Sequence, residues 1–157
     1  MSDTFNTYGY SFQIKLLAGL FKNKTFLQQV SDILDSNYFE SDSNKWIANT
    51  VIEYFNEYKS SPTLEVMKVN VDSVDNEVLK TGIVDTLKEV MKNLEAEDME
   101  FVQDETIKFC KNQKLKGAIM ESVNLLQRGD YDGIKHKIDD ALKAGPNPPS
   151  IRSSITS

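Results

Sequence analysis

The 157-residue chain contains one cysteine and one histidine, and no apolar run approaches the roughly 20 residues that span a bilayer. Each absence excludes something. Cys110 has no partner within the chain, so an internal disulfide is impossible and a reducing compartment fits. One Cys and one His cannot supply the ligands of a usual structural zinc site. The start, Met1-Ser2-Asp3-Thr4, lacks the basic segment and apolar stretch of a secretory signal, so the expected location is the cytoplasm, with no membrane contact. Basic charge is also short. Lys and Arg number 18 against 24 Asp and Glu, a net charge of −6, which opposes a phosphate-binding surface spread over the whole domain.

What remains is an ordinary globular composition, 39% apolar and 27% charged, on a chain long enough for one domain with a real core. No alternating strand pattern competes with helical periodicity, so the expected fold is all-α. Phe12, Leu16, Leu17, Leu20 and Phe21 mark a first helix, and Phe26, Leu27, Val30, Ile33 and Leu34 a second. Ser41-Asp42-Ser43 offers N-cap side chains to a third, on which Ile47, Val51, Tyr54, Phe55 and Tyr58 recur at helical spacing. Thr63 can cap another helix carrying Leu64, Val66 and Met67, whereas the β-branched stretch from Val69 to Val74 reads as irregular. Asp75 can cap a helix bearing Leu79, Ile83, Leu87, Val90, Met91 and Leu94, with Gly82 inside it as a sign of a close neighbouring backbone.

The long pattern from Phe101 to Arg128, broken at Gly129-Asp130-Tyr131-Asp132-Gly133 and resumed from Ile134 to Lys143, predicts a helical hairpin. At about 100° per residue from Leu115, the side chains Leu125, Ala118, Leu126, Ile119 and Val123 spread from about 280° to about 80°, with Met120 at about 140°. One partner helix covers a stripe of roughly 100°. The hairpin therefore needs a further partner, either the rest of the chain or a second copy. The expected seam is Leu115, Ile119, Val123, Leu126, Ile134, Ile138 and Leu142, with Met120 and Leu125 covering a second contact. The domain reading is a helical head over 8–100, the hairpin over 101–144, and a Pro-, Ser- and Thr-rich tail or linker over 145–157.

Chemistry is sparse. A Cys-His nucleophilic pair would have to be Cys110 and His136, and no third residue suggests itself to orient them. Gly129-Asp130-Tyr131-Asp132-Gly133-Ile134-Lys135 has three residues between its glycines where a phosphate loop needs four, and lacks the ligand spacing of a calcium loop. It reads instead as Gly129 just past a helix C-terminus and Asp130 or Asp132 as the next N-cap. Asp104-Glu105 and Asp139-Asp140 fall on polar helix faces. Trp46 could stack a ligand, but Tyr54, Phe55 and Tyr58 on its helix favour core packing. Charge switches abruptly from Glu95, Glu97, Asp98, Glu100, Asp104 and Glu105 to Lys108, Lys111, Lys114 and Lys116, a pattern expected of i,i+4 pairs such as Asp104 with Lys108. No catalytic residue, cofactor or metal site is expected.

Phe109-Cys110, followed on the same helix by Ala118-Ile119-Met120-Glu121-Ser122, with Tyr38-Phe39 and Ser61-Pro62-Thr63 upstream, resembles the N-terminal domain of the DnaB-like replicative helicases of T-even-type tailed phages. The resemblance spans residues 12–144. It implies a helical head and hairpin whose copies pair, as a dimer or a larger ring, into a collar that meets primase and helicase loader in the host bacterial cytoplasm. ATP hydrolysis in such helicases belongs to a following domain, and this chain has no Walker-type loop. No ATPase is therefore expected of it, and contact with nucleic acid is expected to be weak or absent. A second reading is a helicase-binding adaptor domain of a primase or another phage replication protein, which has a similar head and hairpin.

Overall fold

The computed structural model describes residues 4–144. Seven α-helices are found there: α1 (Tyr10–Lys22), α2 (Lys24–Val30), α3 (Asp42–Tyr58), α4 (Leu64–Asp72), α5 (Glu77–Lys92), α6 (Met99–Gln127) and α7 (Tyr131–Lys143). Short 3-10 turns at Phe5–Tyr8 and Ser36–Tyr38 complete the set, and no strand occurs among the described residues. The all-α expectation is met. The expected tail, 145–157, lies outside the described residues.

Helix α1 is the axis of the head. Its Leu16, Leu17, Ala18 and Leu20 are wholly buried, and it packs against α2, α3, α5 and α6. A helix apolar nearly all round is stable only when surrounded in this way. At Gly19 a Cβ would stand 3.1 Å from the Gln103 side chain and 3.3 Å from those of Met99 and Phe26, so the absent side chain sets how closely α6 and α2 approach α1. Gly82 does mark a close approach, but to the Ser43 side chain, 2.6 Å from a would-be Cβ, and not to a backbone.

The start of α6 is held in the head by an aromatic cluster. Phe109 lies 4.7 Å from Phe5, 5.4 Å from Tyr38 and 6.0 Å from Tyr8 between ring centroids, and Phe5 also packs on Phe39 at 4.9 Å. Such pairs contribute roughly 1 kcal/mol each beyond burial of their area. Beneath them the buried Gln13 amide donates to the Gly9 carbonyl at 3.1 Å, and its carbonyl accepts from the Asn44 amide at 3.3 Å. The burial of two amides is thereby compensated by hydrogen bonds. Lys15 to Asp98, at 3.0 Å, and Lys22 to Glu95 clip α1 to the α5–α6 connection.

Caps fall largely where the residue types predict. Ser41, Thr63 and Asp130 accept from the backbone N–H groups of Asn44, Val66 and Gly133. The α5 cap is Asn76, one residue beyond the expected Asp75. Residues 69–72, expected to be irregular, are helical because Met67 and Val71 reach the core and outweigh β-branched propensity. Helix α3 ends one turn before Pro62, with Lys59 in the left-handed region at φ 61° and its ammonium 5.9 Å from the Phe55 ring centroid.

The head is not closed at residue 100. Phe5 is wholly buried, and Val102, Thr106, Phe109 and Cys110 of α6 complete the same core.

Candidate interaction surface

Along α6 the buried positions Val102, Thr106, Phe109 and Cys110 follow i, i+4, i+7, i+8, and beyond Cys110 only Ala118 is fully buried. At about 1.5 Å per residue α6 is roughly 43 Å long. Its start, through Cys110, belongs to the head, and its last half meets α7.

The connection between α6 and α7 depends on two glycines. Gly129 adopts φ +70°, and the Asp130 N–H then reaches back to the Leu125 carbonyl at 2.9 Å, closing the last turn of α6. The Asp130 carboxylate accepts from the Gly133 N–H at 2.9 Å. A Cβ at Gly133 would stand 2.5 Å from that carboxylate, so the cap needs glycine there. This is the expected reading of the Gly-Asp-Tyr-Asp-Gly break.

Helix α7 buries no residue completely. Ile134, Ile138 and Ala141 are partly buried, as are Leu115, Ser122 and Leu125 of α6, and Glu121 crosses to Lys137 at 3.0 Å. On the helical wheel of α6 the arc facing α7 begins at Glu121, passes through Leu125 and Ala118, and ends at Ser122. Its centre is displaced from that of the expected seam. Ile119, Val123 and Leu126 point past α7 and are 53%, 53% and 58% exposed. Leu142, also assigned to the seam, is 57% exposed, and Met120 is 65% exposed. Leu125 moves the other way, from a second contact into the seam. The difference has a physical cause: wheel position gives the width of an apolar arc, while the point at which α7 crosses depends on the geometry of the Gly129–Gly133 turn. The described head does not cover the remainder of the arc either.

Catalytic features do not converge. Cys110 is wholly buried, and burial pushes its thiol pKa up to about 12, so it stays protonated. His136 stands in solvent on α7, 3.2 Å from Asp140. Among the described residues no three His, Cys, Asp or Glu side chains gather as a metal site. Lys108 pairs at 4.0 Å with Glu105, three residues back, in place of the expected Asp104. Helical spacing scatters Lys108, Lys111, Lys114 and Lys116 over more than half of the helix circumference, so they do not form one stripe.

The core-packing reading of the α3 aromatics holds for Phe55, which is buried, and for Trp46, which packs partly buried against the core, but not for the tyrosines. The core face of α3 is Ile47, Ala48, Val51 and Phe55, whereas Trp46 and Tyr54 are partly buried and Tyr58 is exposed. Tyr54 and Tyr58 rest on each other, ring centroids 4.5 Å apart, along the flank of α3 beside α4. The signal was their spacing: 46, 50, 54 and 58 form an i,i+4 row about 100° away from 47, 51 and 55.

Comparison with protein-family models, curated proteins and solved structures finds no match to this chain.

Proposed function

We propose that this chain is a protein-interaction and oligomerisation module of the kind that forms the collar of a DnaB-like phage replicative helicase. In this reading a second copy packs on the α6 face formed by Ile119, Val123 and Leu126, with Met120 and Leu142 at its margins. Primase and helicase loader are further partners, and nucleotide hydrolysis is left to a separate motor domain.

The observation that carries the reading is the row of large apolar side chains left in water on a hairpin that is otherwise well capped. Each keeps more than half its surface exposed, and hiding it contributes on the order of 1 kcal/mol. Isolated exposed apolar residues are common and need no explanation; several on one helix face mark an interaction surface.

The test is solution mass by light scattering over a wide concentration range, on the chain and on an Ile119→Asp/Val123→Asp variant. The expected result is a dimer or larger species that becomes monomeric in the variant with unchanged circular dichroism, since neither side chain supports the head. A monomer at every concentration, or association that ignores the double substitution, rejects self-assembly through this face. A strictly monomeric chain that captures a helicase would instead identify the adaptor of a primase.

A further inference from the structure

Two grooves flank α4, and they differ in sign. The one between α4 and α5, about 740 Å³, mixes Lys68, Lys80, Lys88 and Lys92 with Asp72, Asp85 and Glu89. The other, between α3 and α4, is about 770 Å³, and its only charged residues are Glu53 and Glu57. Its walls carry Trp46, Tyr54 and Tyr58 from α3 and the exposed Val69 from α4.

Glu53 and Glu57 stand one turn apart, an i,i+4 pair of like charges that costs a helix a few tenths of a kcal/mol. Among the described residues no lysine, arginine or histidine nitrogen lies within 4 Å of either carboxylate. The fold does not compensate this repulsion. Glu57 follows Tyr54 by three residues and directly precedes Tyr58, so its carboxylate shares the groove wall with that ring pair. Aromatic ring faces are electronegative and attract guanidinium and ammonium groups, most strongly on tryptophan. Two carboxylates beside the paired Tyr54 and Tyr58 rings therefore match a cationic side chain on an apolar stem, and they repel phosphate.

We infer that the α3–α4 groove is a docking site for a basic peptide segment of a protein partner, with an arginine or lysine held between the paired Tyr54 and Tyr58 rings and the Glu53 and Glu57 carboxylates, and the rest of the segment running along the groove toward Trp46. The occupant is set by charge complementarity: the groove carries two negative charges and no positive one, and residues 1–100 carry 9 basic against 17 acidic side chains, so a cationic segment is also steered toward the head. The site is separate from the hairpin face and does not depend on the collar reading.

Trp46 is the only tryptophan, so its emission reports on this groove directly. The probe is a synthetic ten-residue peptide carrying four arginines, titrated into the full chain alongside the same peptide with citrulline, the uncharged isostere, at each arginine. The expected result is a saturable change in Trp46 emission with the arginine peptide and at least tenfold weaker binding of the citrulline peptide. Affinity should also fall at least tenfold in Glu53→Gln/Glu57→Gln and several-fold in Tyr58→Ala, all exposed or partly exposed positions whose replacement leaves the core intact. Equal affinity for the two peptides, or binding unaffected by the Glu53/Glu57 double substitution, overturns the proposal. So does a shift of Trp46 emission caused by Arg152→Gln in the absence of peptide, which would make the chain's own C-terminal segment the occupant.

Discussion

The two ends of α6 are one continuous helix with opposite physical roles. Between Met99 and Cys110, its Val102, Thr106, Phe109 and Cys110 enter a core shared with α1, α2 and the aromatic cluster; toward Gln127 it packs chiefly against α7 and leaves Ile119, Val123 and Leu126 in solvent. Similar side chains on the same helix thus stabilise the monomer at one end and are available for association at the other. Periodicity does not separate these roles. What separates them is how many other elements surround the helix at each level.

The sharpest way to break that contrast is to truncate one apolar side chain at each end. Phe109→Ala should cost about 3–5 kcal/mol in urea unfolding, because it empties the middle of the aromatic cluster. Val123→Ala should cost less than about 0.5 kcal/mol when measured at a concentration where the chain is monomeric, since it leaves no cavity. Comparable losses at the two positions would mean that the hairpin end is buried in the monomer.

Alkaline pH probes the head end without changing its shape. Burial pushes both the Cys110 thiol and the Tyr38 phenol up to about 12, above the 9.0 and 10.0 of the free groups. In the unfolded chain these groups lose their protons first, so their contribution to stability is intact below about pH 9 and falls as pH rises toward 12. The slope reaches at most about 1.4 kcal/mol per pH unit for Cys110. Urea midpoints at pH 8 and pH 10.5 should therefore differ, and Cys110→Ala should reduce the difference. A Cys110→Ala variant with the same pH dependence would reject the thiol as its source. Native Cys110 should also resist alkylation until the head opens.

The smallest effect belongs to the α6–α7 seam. Glu121 and Lys137 bridge the helices at 3.0 Å with about half of each side chain in solvent, so Lys137→Met should change stability by only a few tenths of a kcal/mol. If the pair instead sets where α7 crosses α6, the same variant will alter the α6 face presented outward and shift self-association while stability stays nearly constant. A loss above about 2 kcal/mol would show that the bridge is part of the folded core and not a surface contact.

Much of the fold was legible residue by residue. The caps at Ser41, Thr63 and Asp130, the helix stop at Gly129 and the hairpin itself follow from local chemistry, because a side-chain oxygen three residues before a free N–H, or a glycine at positive φ, acts within one turn. The helical state of residues 69–72 was not legible, since burial of Met67 and Val71 is a tertiary term that opposes local propensity. Nor was the orientation of α3. Tyr54 and Tyr58 looked like core by hydrophobicity, and only the packing of α1 and α5 against α3 selected the row of Ile47, Val51 and Phe55 for the interior, with Trp46 partly buried against it.

The sequence by itself determined that the chain is helical, where most helices start and stop, that Cys110 has no disulfide partner, and that the hairpin carries more apolar surface than one helix can cover. These properties depend on spacing and on interactions across a few residues. Only the tertiary structure decided which part of that arc α7 covers, that α6 as far as Cys110 belongs to the head, and that Tyr54 and Tyr58, flanked by two glutamates, line a groove beside α4. A helix face is chosen by competition among all the surfaces packed around it, and no segment of the chain contains that comparison alone.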